Sequence, residues 1–123
     1  MELTHVRLLV SNFESTYRFY EEVLGLKAQR PAPQGPYVKF TLPDGHTAIS
    51  LQSRTHFETH SVPLRKSSGD DLLLAVHVKD VEATATMLRA KTVEVSEVKP
   101  LFGAMKVAYL RDPEGTLIEL QEW

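Results

Sequence analysis

Polar side chains are threaded through four apolar runs of this chain, and they are where chemistry could reside. LTHVRLLV (3–10) and LLLAVHV (72–78) carry His5, Arg7 and His77. Two later runs, Ile49-Ser50-Leu51-Gln52 and Ile118-Glu119-Leu120-Gln121, carry a hydroxyl, a carboxylate and two amides. The Arg7 guanidinium suits a carboxylate or phosphate on a ligand, and a salt bridge to Glu119 is the equal alternative. A different spacing occurs in HFETH, where His56 and His60 stand four apart around Glu58 and would share one face of a helix. That order is not HExxH, and the surrounding stretch is polar and interrupted by Pro63 and Gly69, so it reads as linker. No Ser-His-Asp system, phosphate-cradling glycine loop or dinucleotide fingerprint is present. With no cysteine, disulfides, thiolate chemistry and cysteine-ligated zinc are excluded.

The elements that must position these residues repeat. Each half opens with one of the two longer runs, ends it at a short polar pair, and follows with a helix capped by Asn12 or Asp80. Phe13, Tyr17, Tyr20 and Leu24 recur with helical period in the first helix, and Val81, Ala85 and Leu88 in the second. Gly25 is a natural left-handed stop for the first helix, whereas the second has no glycine near Thr92. Three strands follow each helix, at about 26–31, 36–42 and 47–53, then about 93–99, 104–110 and 116–122. Pro43-Asp44-Gly45 and Asp112-Pro113-Glu114-Gly115 turn the chain into the closing strands. The pattern predicts an α+β fold of two tandem βαβββ modules, offset by about 68–70 residues, forming curved mixed sheets with helices on the outer face. The whole is one domain: module 1 covers about 1–53, a linker 54–71, and module 2 72–123.

Strand alternation sorts the side chains. Val6, Leu8 and Val10, and Leu72, Leu74, Val76 and Val78, are expected beneath the helices, with Tyr17 and Tyr20 in the core. Ser50, Gln52, Glu119 and Gln121 then join His5, Arg7, Leu73 and His77 on the opposite face, which makes that face a small-molecule site. Composition narrows the class further. Fourteen basic and sixteen acidic residues are well mixed, the net charge is −2, and no basic stripe offers itself to nucleic acid. No apolar run approaches the roughly 20 residues of a membrane span, and the first residues lack a signal-peptide layout. A soluble cytoplasmic protein is expected.

Two stretches, THVRLLVSNFESTYRFYEEVLGL at the front and PLFGAMKVAYLRDPEGTLIEL at the back, one per module and in order, resemble the vicinal oxygen chelate superfamily of glyoxalases, bleomycin-resistance proteins and dioxygenases. The resemblance implies paired βαβββ modules, a homodimer, and in the metal enzymes up to four inward ligand positions. These fall on His5, Ser50, Leu73 and Glu119. His5 and Glu119 are normal ligands for zinc, nickel, manganese or iron(II). Ser50 is a poor ligand, and Leu73 has no lone pair where the three-ligand relatives need histidine. The resemblance also sets Phe102-Gly103 in a loop bordering the cavity, where Phe102 would stack on a ligand, with ordinary packing the equal alternative.

Two functions are compatible with that set. The first is a binding protein without metal or other cofactor, which sequesters an apolar or aromatic compound with His5, Arg7, Ser50, Leu73, His77, Phe102 and Glu119 around it. The second is a divergent metal enzyme, a lactoylglutathione-lyase-like isomerase or a dioxygenase, with a divalent ion on His5 and Glu119 and with Glu119 as the one inward carboxylate able to act as base. Leu73 favours the first.

Overall fold

The computed structural model describes residues 1–67 and 69–123. The chain forms two compact units, Met1–Ser67 and Ser68–Trp123. In the first, β1 (Val6–Val10) leads to α1 (Phe13–Arg18), which continues as a π-helical turn over Phe19–Val23, and then to β2 (Lys27–Ala28), β3 (Tyr37–Thr41) and β4 (Thr47–Ser53). A further helix, α2 (Arg54–His60), follows. The second unit runs β5 (Leu73–His77), α3 (Val81–Ala90), β6 (Lys99–Leu101), β7 (Met105–Arg111) and β8 (Leu117–Glu122). Each unit holds a four-stranded mixed sheet, of order β1-β4-β3-β2 and β5-β8-β7-β6, in which the first and last strands are parallel and the rest antiparallel.

Local chemistry explains the shared plan. Asn12 Oδ1 accepts from Ser15 N at 3.3 Å and Asp80 Oδ1 from Ala83 N at 3.0 Å, so each helix starts on a side-chain cap. Gly25, at φ +72°, ends the first helix in the left-handed region. The second reaches the same conformation without a glycine: Thr92 adopts φ +64°, a strained choice for a β-branched residue. The tight turns before β4 and β8 correspond atom for atom. Gly45 N donates to Leu42 O and Leu42 N to His46 O, as Gly115 N does to Asp112 O and Asp112 N to Thr116 O.

Tyr17 and Tyr20 are buried as expected, against Phe40 at ring-centroid separations of 5.6 and 6.0 Å. Leu8, Val10, Ile49 and Leu51 complete that core, and Val81, Ala85, Leu88, Leu110, Ile118 and Leu120 form its counterpart. Val6 and Leu72 depart from the expectation: each is 44 % exposed. Val6 opens an edge strand while α1 packs on β4; Leu72 precedes β5, another edge strand, while α3 packs on β7 and β8. Leu74, Val76 and Val78 are only half-buried for the same reason.

Other boundaries shift too. β2 spans two residues instead of the expected six; beyond it Gln29 N still donates to Lys39 O, and Pro31, which has no N–H to give, ends the run. The strand expected at 93–99 forms at Lys99–Leu101; ahead of it Ser96 N donates to Tyr109 O and Ser96 Oγ accepts from Tyr109 N, bracing β7 without a continuous ladder. The segment expected to be linker contains α2, capped by Ser53 Oγ, which accepts from His56 N.

Candidate functional site

Strand register decides which polar side chains share the face away from the helices. Val6 pairs with Ile49 and Leu74 with Ile118, so β1–β4 and β5–β8 have the same register, one residue for one residue. Arg7, Ser50 and Lys39 consequently form one row across β1, β4 and β3, and Ala75, Glu119 and Tyr109 form the equivalent row across β5, β8 and β7.

In the first unit, His5 stands just before β1 with Nε2 3.1 Å from Ser50 Oγ and Nδ1 3.1 Å from Thr4 Oγ1. Arg7 donates to Gln52 Oε1 at 3.0 Å, and its guanidinium lies 5.3 Å from the centre of the Tyr37 ring. Gln52 Nε2 in turn donates to His56 Nδ1 at 2.9 Å, which ties α2 to β4. Gln52 takes one N–H of Arg7, through Nη1.

In the second unit, Glu119 is 8 % exposed, and both its oxygens are engaged within the sheet. Tyr109 Oη donates to Oε2 at 2.6 Å and Gln121 Nε2 to Oε1 at 2.7 Å. The bond to the Glu119 carboxylate, helped by burial, raises the Tyr109 phenol above its ordinary value. Trp123 Nε1 donates to Gln121 Oε1 at 3.3 Å and stacks on His77 with ring centroids 4.0 Å apart. Leu73 is 40 % exposed and pairs with Leu117, and Phe102, at φ +49°, projects into solvent ahead of Gly103.

The structure therefore brings His5 to Ser50 and sets Arg7 beside Ser50 in the first unit, and joins Glu119 and His77 through Gln121 and Trp123 in the second. Leu73 and Phe102 have no polar role there. Tyr37, Lys39, Gln52, Tyr109, Gln121 and Trp123 complete the two faces. Alternation within 36–42 and 104–110 already carried Tyr37, Lys39 and Tyr109, since Val38 and Phe40, like Ala108 and Leu110, are the buried set.

Leu73 offers no lone pair, Glu119 meets its charge through a phenol and an amide, and both His5 nitrogens lie against hydroxyls. Among the described residues no three His, Asp or Glu side chains are arranged to hold an ion. Nor, among them, is any helix long and apolar enough to cross a membrane.

Comparison with known proteins agrees with this architecture. A family model described as the Glyoxalase/Bleomycin resistance protein/Dioxygenase superfamily matches residues 2–120. The chain is 29 % identical to a lactoylglutathione lyase of Haemophilus influenzae, over 99 % of this chain and 93 % of that one. It is 34 % identical to the uncharacterised YraH of Bacillus subtilis, over 98 % and 97 %. A crystal structure of a glyoxalase/bleomycin resistance protein/dioxygenase from Nocardioides superposes with a TM-score of 0.79 at 21 % identity, covering 100 % of this chain and 83 % of that one, a likeness of fold.

Proposed function

The chain belongs to the Glyoxalase/Bleomycin resistance protein/Dioxygenase superfamily, and on that premise we propose that it is a metal-independent, small-molecule-binding protein of the sequestering kind. The observation that carries the reading is the state of Glu119. A tyrosine and a glutamine of the same sheet donate to its two oxygens, and an apolar Leu73 stands two residues before its strand partner Ala75. A carboxylate held in place by two donors keeps further lone pairs to orient a polar ligand edge, and Leu73 offers no lone pair to complete a cation site beside it. His5, Arg7, Ser50, His77 and Phe102 are the remaining contacts of the reading, around an apolar or aromatic compound. It also includes a cytoplasmic homodimer: the chain carries no cysteine, and the edge strands β1 and β5 leave exposed Val6 and Leu73 to be covered.

The name of the Haemophilus relative favours a second reading, a metal-dependent lyase in which Glu119 is the base. Metal analysis by mass spectrometry, on protein purified without chelator and then titrated with zinc, nickel, manganese and iron(II), separates the two. The expected result is no stoichiometric metal, together with saturable changes in Trp123 fluorescence when aromatic compounds are added. Near-stoichiometric metal that disappears in His5→Ala overturns the binding reading and sends the protein to lyase assays. Light scattering tests the dimer.

A further inference from the structure

The strands of the first unit place cations, and no carboxylate, on the face that carries Arg7. Arg7, Ser50 and Lys39 lie in one row, Tyr37 and Gln52 in the next, and Lys27 pairs with Thr41 beyond Lys39. Neighbouring strands are about 4.8 Å apart, so Arg7 and Lys39, two strands apart, are separated by about 10 Å at Cα. Two long cationic side chains close that span around a single oxyanion. Tyr37 and Lys39 also border a cavity of about 420 Å³, together with Gln29, Arg30, Pro31 and Ala32. That is the size of a small-molecule pocket. Arg7 lies over the Tyr37 ring, so three cations, Arg7, Arg30 and Lys39, are gathered at one tyrosine.

Among the described residues none of the three forms an ion pair. Ion pairs among the described residues engage Arg18, His46 and Arg111 instead. Gathering like charges without a counter-charge works against folding. The fold does not require it either, for the equivalent row of the second unit has Ala75 in place of Arg7 and Tyr109 in place of Lys39. The same sheet is built with and without the cations, so their presence in one copy points to a ligand.

We propose that the small molecule this protein binds is an organic anion, whose carboxylate or phosphate group sits over Tyr37 and Lys39 between Arg7 and Arg30 while its apolar part rests on Pro31 and Ala32. The inference rests on the small-molecule-binding reading above and adds the charge of the ligand and its place. Benzoate, phenyl phosphate and the neutral isostere benzamide, titrated into the full-length ¹⁵N-labelled protein, test it. Either anion should shift the amide signals of Arg30, Tyr37 and Lys39 saturably, with affinity that falls as salt is added, and the tighter of the two identifies the preferred oxyanion. Lys39→Gln should weaken that anion by about tenfold, a loss of one charge-assisted contact, while Lys39→Arg keeps it; Arg7→Gln is the second variant should Lys39→Gln fold poorly. Benzamide binding as tightly as the anions, with Lys39→Gln and Arg7→Gln without effect, overturns the anion site and leaves small-molecule binding standing. If no probe of either charge shifts any amide, both readings fall.

Discussion

Tyr109 and Glu119 face each other across the β7–β8 ladder, and the phenol donates to Glu119 Oε2 at 2.6 Å. The pair stands where the first repeat has Lys39 and Ser50, so the duplicated sheet keeps its backbone and has exchanged a cation and a hydroxyl for a phenol and a carboxylate. A short bond to a charged acceptor is among the stronger hydrogen bonds available to a protein. Tyr109→Phe removes the donor and leaves Glu119 with Gln121 alone. Because Tyr109 is half-buried, the expected cost is about 1 kcal/mol, seen as a lower urea midpoint with an unchanged slope. An unchanged midpoint would show that the carboxylate finds water as readily as the phenol.

The same bond predicts alkaline behaviour. Tyr109 is raised first by its bond to Glu119, and Tyr17 first by burial and then by its bond to Glu21. Both phenols therefore hold their protons more tightly in the native state than in the unfolded chain, where tyrosine ionises near 10. A raised native value means that the stability they contribute is fully present below about pH 10 and is lost as pH rises through the native value. The unfolding midpoint should stay level from neutral pH to about 9 and decline above about 10, less so in the Tyr17→Phe/Tyr109→Phe variant. Absorbance at the tyrosinate band offers the direct check: Tyr17→Phe and Tyr109→Phe should each remove a late-titrating phenol from the parent's curve, and a late phase unchanged in both variants would contradict the assignment.

What could be read from the residues was the repeat and its punctuation. Asn12 and Asp80 cap as their types and positions demand, and Gly45 and Gly115 turn the chain at matching places, because caps and turns are local chemistry. Helix α2 was hidden because it buries none of its residues, so no apolar period marks it; the spacing of His56 and His60 and the hydroxyl of Ser53 were its only signals. The exposure of Val6 and Leu72 lay beyond alternation, which assigns a face and does not tell how far a helix reaches over an edge strand. Glu119 was visible as an inward carboxylate, but its two donors come from register and from Gln121 on its own strand, and register exists only once β7 and β8 have paired.

The two matching turns differ in a way that stability can report. Asp112 is buried, and its Oδ1 accepts from both Glu114 N and Thr116 N; Asp44 is exposed, and its Oδ1 accepts from His46 N. Asp112→Ala deprives two backbone donors of a charged acceptor and should cost about 1.5–3 kcal/mol. Asp44→Ala should cost less than Asp112→Ala, because water replaces what an exposed carboxylate gives up. Thermal or urea unfolding of the two variants side by side decides the matter, and equal losses would mean that burial is not what gives the second turn its strength.

Leu73 offers the sharpest test of why the donor set is incomplete. It lies on β5 two residues before Ala75, the strand partner of Glu119, so an imidazole there would be a diagonal neighbour of the carboxylate, about 7–8 Å away between Cα atoms and within reach of one shared ion. Leu73 is 40 % exposed and packs little, so Leu73→His should cost no more than about 0.5 kcal/mol. It should tighten zinc binding by about tenfold or more over the parent protein, because a nitrogen ligand replaces an apolar wall. Calorimetric titration with zinc measures it, with Leu73→His/Glu119→Gln as the control in which the gain should vanish. A variant that binds zinc no better than the parent would mean that Tyr109 and Gln121 hold Glu119 too firmly to turn toward a metal, and Tyr109→Phe added to Leu73→His should then release it.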